Sequence, residues 1–111
     1  MNRKCDDIET APPFIDDYFR APIRIKKRMD TLVRVILDSG QLPNSLQEHV
    51  TDNVSDLWIG YVTVTRGHWR LLFTWRGTVM ILLRLFDHNG MDALLNSTDG
   101  EDRKRIIQEY L

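Results

Sequence analysis

One hundred and eleven residues with a formal net charge of −1 suit one small domain spanning the whole chain. A single cysteine, Cys5, excludes an internal disulfide, and the longest apolar run, Val79–Leu83, falls far short of the ~20 residues that cross a bilayer. The opening Met1–Asp7 carries charge with no apolar stretch behind it, which leads us to expect no secretory signal and a cytoplasmic protein with no membrane partner.

The near-zero net charge hides a sorted distribution. Asp6–Asp17 has five acids and no base, and Arg20–Arg34 has six bases with Asp30 as the one acid. Leu57–Phe86 has four arginines and no acid, and Asp87–Leu111 has six acids against three bases. Sorted charge can be simple solvated surface, or it can build a face for an anion.

Residues 1–9 read either as a tail, with Cys5 an uninvolved thiol, or as a weak first strand around Asp7–Thr10. Thr10 and Ala11 precede Pro12-Pro13, residues tolerated in the first turn of a helix. Phe14, Ile15, Tyr18 and Phe19 follow at helical spacing, so a short helix is expected up to Arg20-Ala21. A second helix is expected from Pro22 to Asp38 or Ser39. Its stripe is Ile25, Met29, Leu32, Val33, Ile36 and Leu37, and Gly40 is its stop. Ser45-Leu46-Gln47-Glu48 fits a capping box and predicts a short helix over Ser45–Val50.

Three strands come next: Leu57–Thr65, Gly67–Trp75 and Thr78–Asp87, with turns at Arg66-Gly67 and Arg76-Gly77. Strict alternation puts Trp69, Leu71, Phe73 and Trp75 on one face of the second strand, toward the helices. His68, Arg70, Leu72 and Thr74 take the other face. In the third strand, Val79, Ile81, Leu83 and Leu85 share one face. Met80, Leu82, Arg84 and Phe86 share the opposite one, with His88 in phase beyond. That strand is apolar on both faces, as a covered or central strand would be. A short helix at Met91–Leu95 and a terminal helix at Gly100–Leu111 complete the pattern. The expected class is α+β: N-terminal helices packed on a twisted antiparallel sheet of three to four strands, followed by a C-terminal helix.

Arg70 and Arg84 on adjacent strands, with His68 and His88 at strand ends, suit a phosphate. Arg offers a planar fork of donors, and His can move a proton near neutral pH. Such a set holds the parts for RNA cleavage. The alternative is that Arg84 pairs with Asp87 or a helix carboxylate and that His88 caps a strand. The basic helix, with Arg24, Lys26, Lys27, Arg28 and Arg34, is a solvated face or a track for a phosphate backbone. The spacing of Cys5, His49, His68 and His88 predicts no metal site, and no cofactor motif is present.

The order Phe14 … Pro22-Ile23-Arg24-Ile25-Lys26-Lys27-Arg28, then Asn44-Ser45-Leu46, Asp56-Leu57-Trp58, Arg70-Leu71-Leu72-Phe73 and Asp87-His88-Asn89, resembles the RelE/ParE superfamily of bacterial toxins from toxin–antitoxin pairs. The resemblance covers about Phe14–Asn89. It implies a metal-independent endoribonuclease that cleaves mRNA on the ribosome and is neutralised by a cognate antitoxin. In that transfer Arg70 matches the arginine that contacts the scissile phosphate and His88 a histidine that ends the last strand. Arg84 lies near a second family arginine. Arg66, His68, Arg24, Lys27 and Arg28 would bind RNA phosphates. The chain departs from the pattern where Asn89-Gly90-Met91-Asp92 replaces a tyrosine that often follows the final strand. Acids also occupy Thr51–Asp56, where some ribosome-dependent nucleases carry lysines. The family's other implications are a ParE-like toxin that blocks DNA gyrase without nuclease chemistry, and an inactive interaction module on the same fold.

Overall fold

The computed structural model describes residues 4–46, 48–49, 58–62 and 69–87. In chain order these form β1 (Asp7–Thr10), α1 (Pro12–Arg20), α2 (Ile23–Ser39), a 3-10 turn (Asn44–Leu46), β2 (Glu48–His49), β3 (Trp58–Tyr61), β4 (Arg70–Arg76) and β5 (Val79–Phe86). α1 begins after an extended Ala11, with prolines in its first two positions, where helical N–H groups have no partner in any case. It ends at an extended Ala21, because a residue before proline is driven out of the helical region. α2 ends at Gly40, which adopts φ 70° and returns its N–H to the Ile36 carbonyl at 2.8 Å.

The sheet has five strands in the order β1-β5-β4-β3-β2. β3, β4 and β5 pair antiparallel, as expected, and β2 joins β3 antiparallel, but β1 pairs with β5 in parallel, so the sheet is mixed. A parallel neighbour needs a long crossover, and α1 and α2 lie in the chain that provides it. Of the two readings for residues 1–9, the strand is the one observed. Cys5 is no loose thiol: it is 2% exposed and its N–H bonds the Gly40 carbonyl. The helix expected over Ser45–Val50 stops after one 3-10 turn, and β2 follows within that span. The turn packs on β3 at Gly60, where a Cβ would stand 2.7 Å from the Leu46 Cα. The expected turn at 66–67, the helices at 91–95 and 100–111, and residues 63–65 of the first predicted strand lie outside the described residues.

Both helices pack on one sheet face. Phe14, Ile25, Met29, Leu32 and Ile36 meet Val62, Leu71, Phe73, Met80, Leu82 and Leu85 in one core, with Trp58, Trp69 and Trp75 half-buried against it. Phe73 is fully buried, which contributes about 1.5–3 kcal/mol. Trp58 stacks on it at 6.5 Å and Trp75 meets it edge-on at 6.4 Å. Leu72, Thr74, Ile81 and Leu83 are buried too, so β4 and β5 are enclosed on both faces.

Strict alternation fails in β5. Leu72 pairs with Arg84 but Phe73 pairs with Leu82, so Leu83 is an extra residue at a bulge. Paired residues in an antiparallel ladder share a face. Met80 and Leu82 therefore lie with Trp75 and Phe73, toward the helices, whereas Arg84 and Phe86 lie with Leu72 and Arg70. The grouping of Met80, Leu82, Arg84 and Phe86 on one face is thus split in two. Without the bulge, Arg84 would have fallen on the helix side.

Candidate functional site

The bulge assembles a lateral row. Tyr61 of β3 pairs with Arg70 of β4, which pairs with Phe86 of β5. The Arg70 guanidinium carbon lies 5.1 Å from the centre of the Tyr61 ring, and that of Arg84 lies 4.4 Å from the centre of the Phe86 ring. Each cation rests on an aromatic face, whose quadrupole attracts positive charge. The expected adjacency of Arg70 and Arg84 on one sheet face is what the register builds.

The two arginines differ in what else they bind. Arg84 donates from Nε to Asp17 Oδ2 at 2.7 Å and from Nη2 to Oδ1 at 3.2 Å. Asp17 also accepts the Leu85 N–H at 2.9 Å. β1 ends opposite Leu82, and α1 takes over along the open edge of β5, which is how its carboxylate reaches that backbone. Of the two readings of Arg84, pairing with a helix carboxylate is the one seen here. At Arg70 no carboxylate acceptor stands among the described residues, and its Nε is buried and without a hydrogen-bond partner. Leaving a buried donor unmade costs about 1–3 kcal/mol, so the position favours an incoming acceptor.

The remaining predicted residues are dispersed. Arg28 donates from Nε to the Val62 carbonyl at 3.1 Å, tying α2 to the end of β3. Lys27 and Arg24 lie exposed on α2. His88, Arg66 and His68 lie outside the described residues. Asp17, Tyr61 and Phe86 were not anticipated as site residues. Asp17 alone left a trace in the sequence, because an acid in a helix's last turn opposes the helix dipole and asks for a compensating partner. Among the described residues, no three His, Cys, Asp or Glu side chains are grouped as metal ligands would be, and no helix is long and apolar enough to cross a membrane.

A second surface lies on the helices. Only Phe14 of the four predicted apolar positions in α1 is buried. Ile15, Phe19 and Leu37 stay 40%, 68% and 45% exposed, a departure from the expected stripes. With Ile8, Tyr18, Met29 and Val33 they line an apolar groove of about 600 Å³ between α1, α2 and β1. Tyr18 bridges its floor by donating to Asp30 at 2.7 Å, which pushes the phenol's pKa upward.

No protein-family model matches this sequence, and no curated protein matches it. Solved structures do. The chain is similar to the RelB–RelE antitoxin–toxin complex of Methanococcus jannaschii, with a TM-score of 0.60 and 17% identity over 75% of this chain and 93% of that one. It is similar to the toxin–antitoxin complex RelBE2 of Mycobacterium tuberculosis, with a TM-score of 0.57 and 17% identity over 79% and 94% of the two chains. It is also similar to a mutant Escherichia coli toxin RelE in the free state, with a TM-score of 0.58 at 7% identity, over 96% of this chain and 99% of that one. Two helices on a mixed sheet make up the fold of this chain, and it matches the fold of these RelE structures.

Proposed function

We propose that this protein is the toxin of a toxin–antitoxin pair, a cytoplasmic, metal-independent endoribonuclease that cleaves mRNA on the ribosome. The observation that carries this reading is Arg70, a half-buried guanidinium with an unpartnered Nε, in a stretch with no acid between Asp56 and Asp87. Arg70 holds a phosphate oxygen and stabilises the charge that builds on the phosphorane. The 2′-hydroxyl attacks phosphorus as its proton leaves, and the 5′-oxygen departs as it gains one. The products are a cyclic phosphate and a 5′-hydroxyl. His88 is the proposed general acid or base, and His68, Arg66, Arg24, Lys27 and Arg28 are proposed contacts to RNA phosphates. Arg84, held by Asp17, serves in this scheme as an assisting positive group beside Arg70. A cognate antitoxin is the proposed partner, and the exposed apolar groove on α1 and α2 offers it a place to bury a helix.

Mapping new 5′ ends in cellular mRNA after expression tests the assignment. Arg70→Ala lowers the cleavage rate by about 10²–10³-fold, and His88→Ala by about 10²–10⁴-fold. Absence of new 5′ ends with the unaltered chain rejects the nuclease.

The capture of Arg84 by Asp17 favours a second reading, in which the face binds without cutting. A ParE-like toxin would then inhibit DNA gyrase in a supercoiling assay. An inactive interaction module would give neither phenotype.

A further inference from the structure

The buried, unpartnered Nε of Arg70 poses a question that Arg28, Arg76 and Arg84 do not. A long side chain with several rotatable bonds needs a reason to hold one geometry. Arg84 is fixed by two bonds to Asp17, Arg28 by the Val62 carbonyl and Arg76 by Glu9. Each of these partners is an oxygen, so each uses up a donor. Arg70 instead meets the face of Tyr61, at 5.1 Å, and a ring face uses up no donor.

We propose that Tyr61 is a positioning residue for an anion site at Arg70. Its ring fixes the guanidinium by a cation–π contact and leaves the N–H edge free for a phosphate oxygen. The cross-strand pairing of Tyr61 with Arg70 places ring and cation side by side, and the bulge closes the other flank with Phe86. An acidic residue at position 61 would hold the arginine equally well but would neutralise it, as Asp17 does to Arg84. An aliphatic residue would leave the charge intact but loose. An aromatic residue meets both requirements. The ligand class is a phosphate monoester or diester. The identification of that phosphate with the mRNA backbone rests on the nuclease reading above, while the role of Tyr61 does not.

The test is a titration of the full chain with inorganic phosphate, following the Arg70 Nε–H resonance by NMR. It is run beside a cleavage assay on single-stranded RNA and a thermal melt. In the unaltered chain phosphate shifts that resonance, and Tyr61→Phe behaves in the same way, because the ring face suffices. Tyr61→Leu weakens phosphate binding by about 3- to 30-fold, the range of a cation–π contact. In an Arg70→Ala background Tyr61→Leu has no further effect on phosphate binding, as expected for two residues acting as one unit. Should Tyr61→Leu fail to fold, Tyr61→pentafluorophenylalanine keeps the ring's shape and reverses the charge of its face, and the same loss is expected. Unchanged phosphate binding in a folded leucine or fluorinated variant overturns the proposal, as does an Arg70 resonance that phosphate does not move. If RNA is not cleaved but phosphate binding still depends on Tyr61, the nuclease reading fails and this one stands. If RNA is cleaved equally well by Tyr61→Leu, with phosphate affinity unchanged, the reverse holds.

Discussion

The β4–β5 hairpin has two ends that use the same chemistry to different effect. At the turn end, Arg76 pairs with Glu9 at 2.6 Å, and both side chains are about half exposed, 52% and 48%. At the open end, beyond the bulge, Arg84 pairs with Asp17 at 2.7 Å, but there the side chains are 30% and 11% exposed. One pair is screened by water and free to exchange; the other is a fixed part of the fold and also satisfies the Leu85 N–H. Beside the fixed pair lies Arg70, of similar chemistry but held by a ring rather than a carboxylate. A positive charge is an anion site only where the fold immobilises it without neutralising it. At the turn end it is neutralised and half exposed, at Arg84 neutralised and largely buried, and at Arg70 held with a donor to spare.

Truncating the carboxylates sharpens this contrast. Asp17→Ala should destabilise the protein by about 3 kcal/mol in a denaturant melt, since it strands both a half-buried guanidinium and a backbone N–H. Glu9→Ala should cost no more than about 0.5 kcal/mol in the same melt. Equal losses would erase the distinction between the two ends. The frame that sets the strand register can be probed in the same way. Gly60→Ala should cost about 1–3 kcal/mol, because the new methyl meets the Leu46 Cα as well as its buried side chain, and the backbone cannot swing aside. Gly77→Ala should cost about 1 kcal/mol. Nothing crowds that site, but φ is 62° and only glycine adopts this freely. If Gly77→Ala proves the more damaging of the two, the hairpin turn rather than the 3-10 turn governs the sheet.

The smallest effect belongs to pH. The Thr78 hydroxyl bonds the Asp6 carboxylate at 2.7 Å and, with help from Lys4, holds its pKa below the usual value of 3.8. A carboxyl whose pKa is depressed by folding adds stability above its unfolded pKa and loses it as pH falls through the folded one. Thr78→Val should therefore flatten the acid limb of a stability–pH curve slightly and leave neutral pH almost untouched. A large change at pH 7 would show that Thr78 matters through packing rather than through Asp6.

Local rules account for the parts that the sequence made legible. Proline at helix starts, glycine at Gly40 and Gly77, and apolar spacing act over a few residues, so α1, α2 and the β4–β5 hairpin could be located from the chain alone, although the turn falls at Gly77-Thr78 rather than at Arg76-Gly77. Trp69, Leu71, Phe73 and Trp75 could likewise be assigned to the helix side, because β4 keeps its alternation. The 3-10 turn defeated the capping-box reading because its pattern is only four residues long. The contact that holds the turn, Leu46 against Gly60, is distant in sequence.

Sequence alone determined that arginines, aromatics and no acids would gather on one hairpin, since composition and period are properties of the chain. Tertiary structure decided which of those arginines is available. The bulge at Leu83, the parallel pairing of β1 and the reach of Asp17 from α1 to β5 are all set by packing between segments far apart in the chain. A one-residue slip reverses every side chain that follows it, and no local pattern announces such a slip. Arg70 and Arg84 look alike in the sequence because the carboxylate that separates them, Asp17, comes from a different layer of the fold.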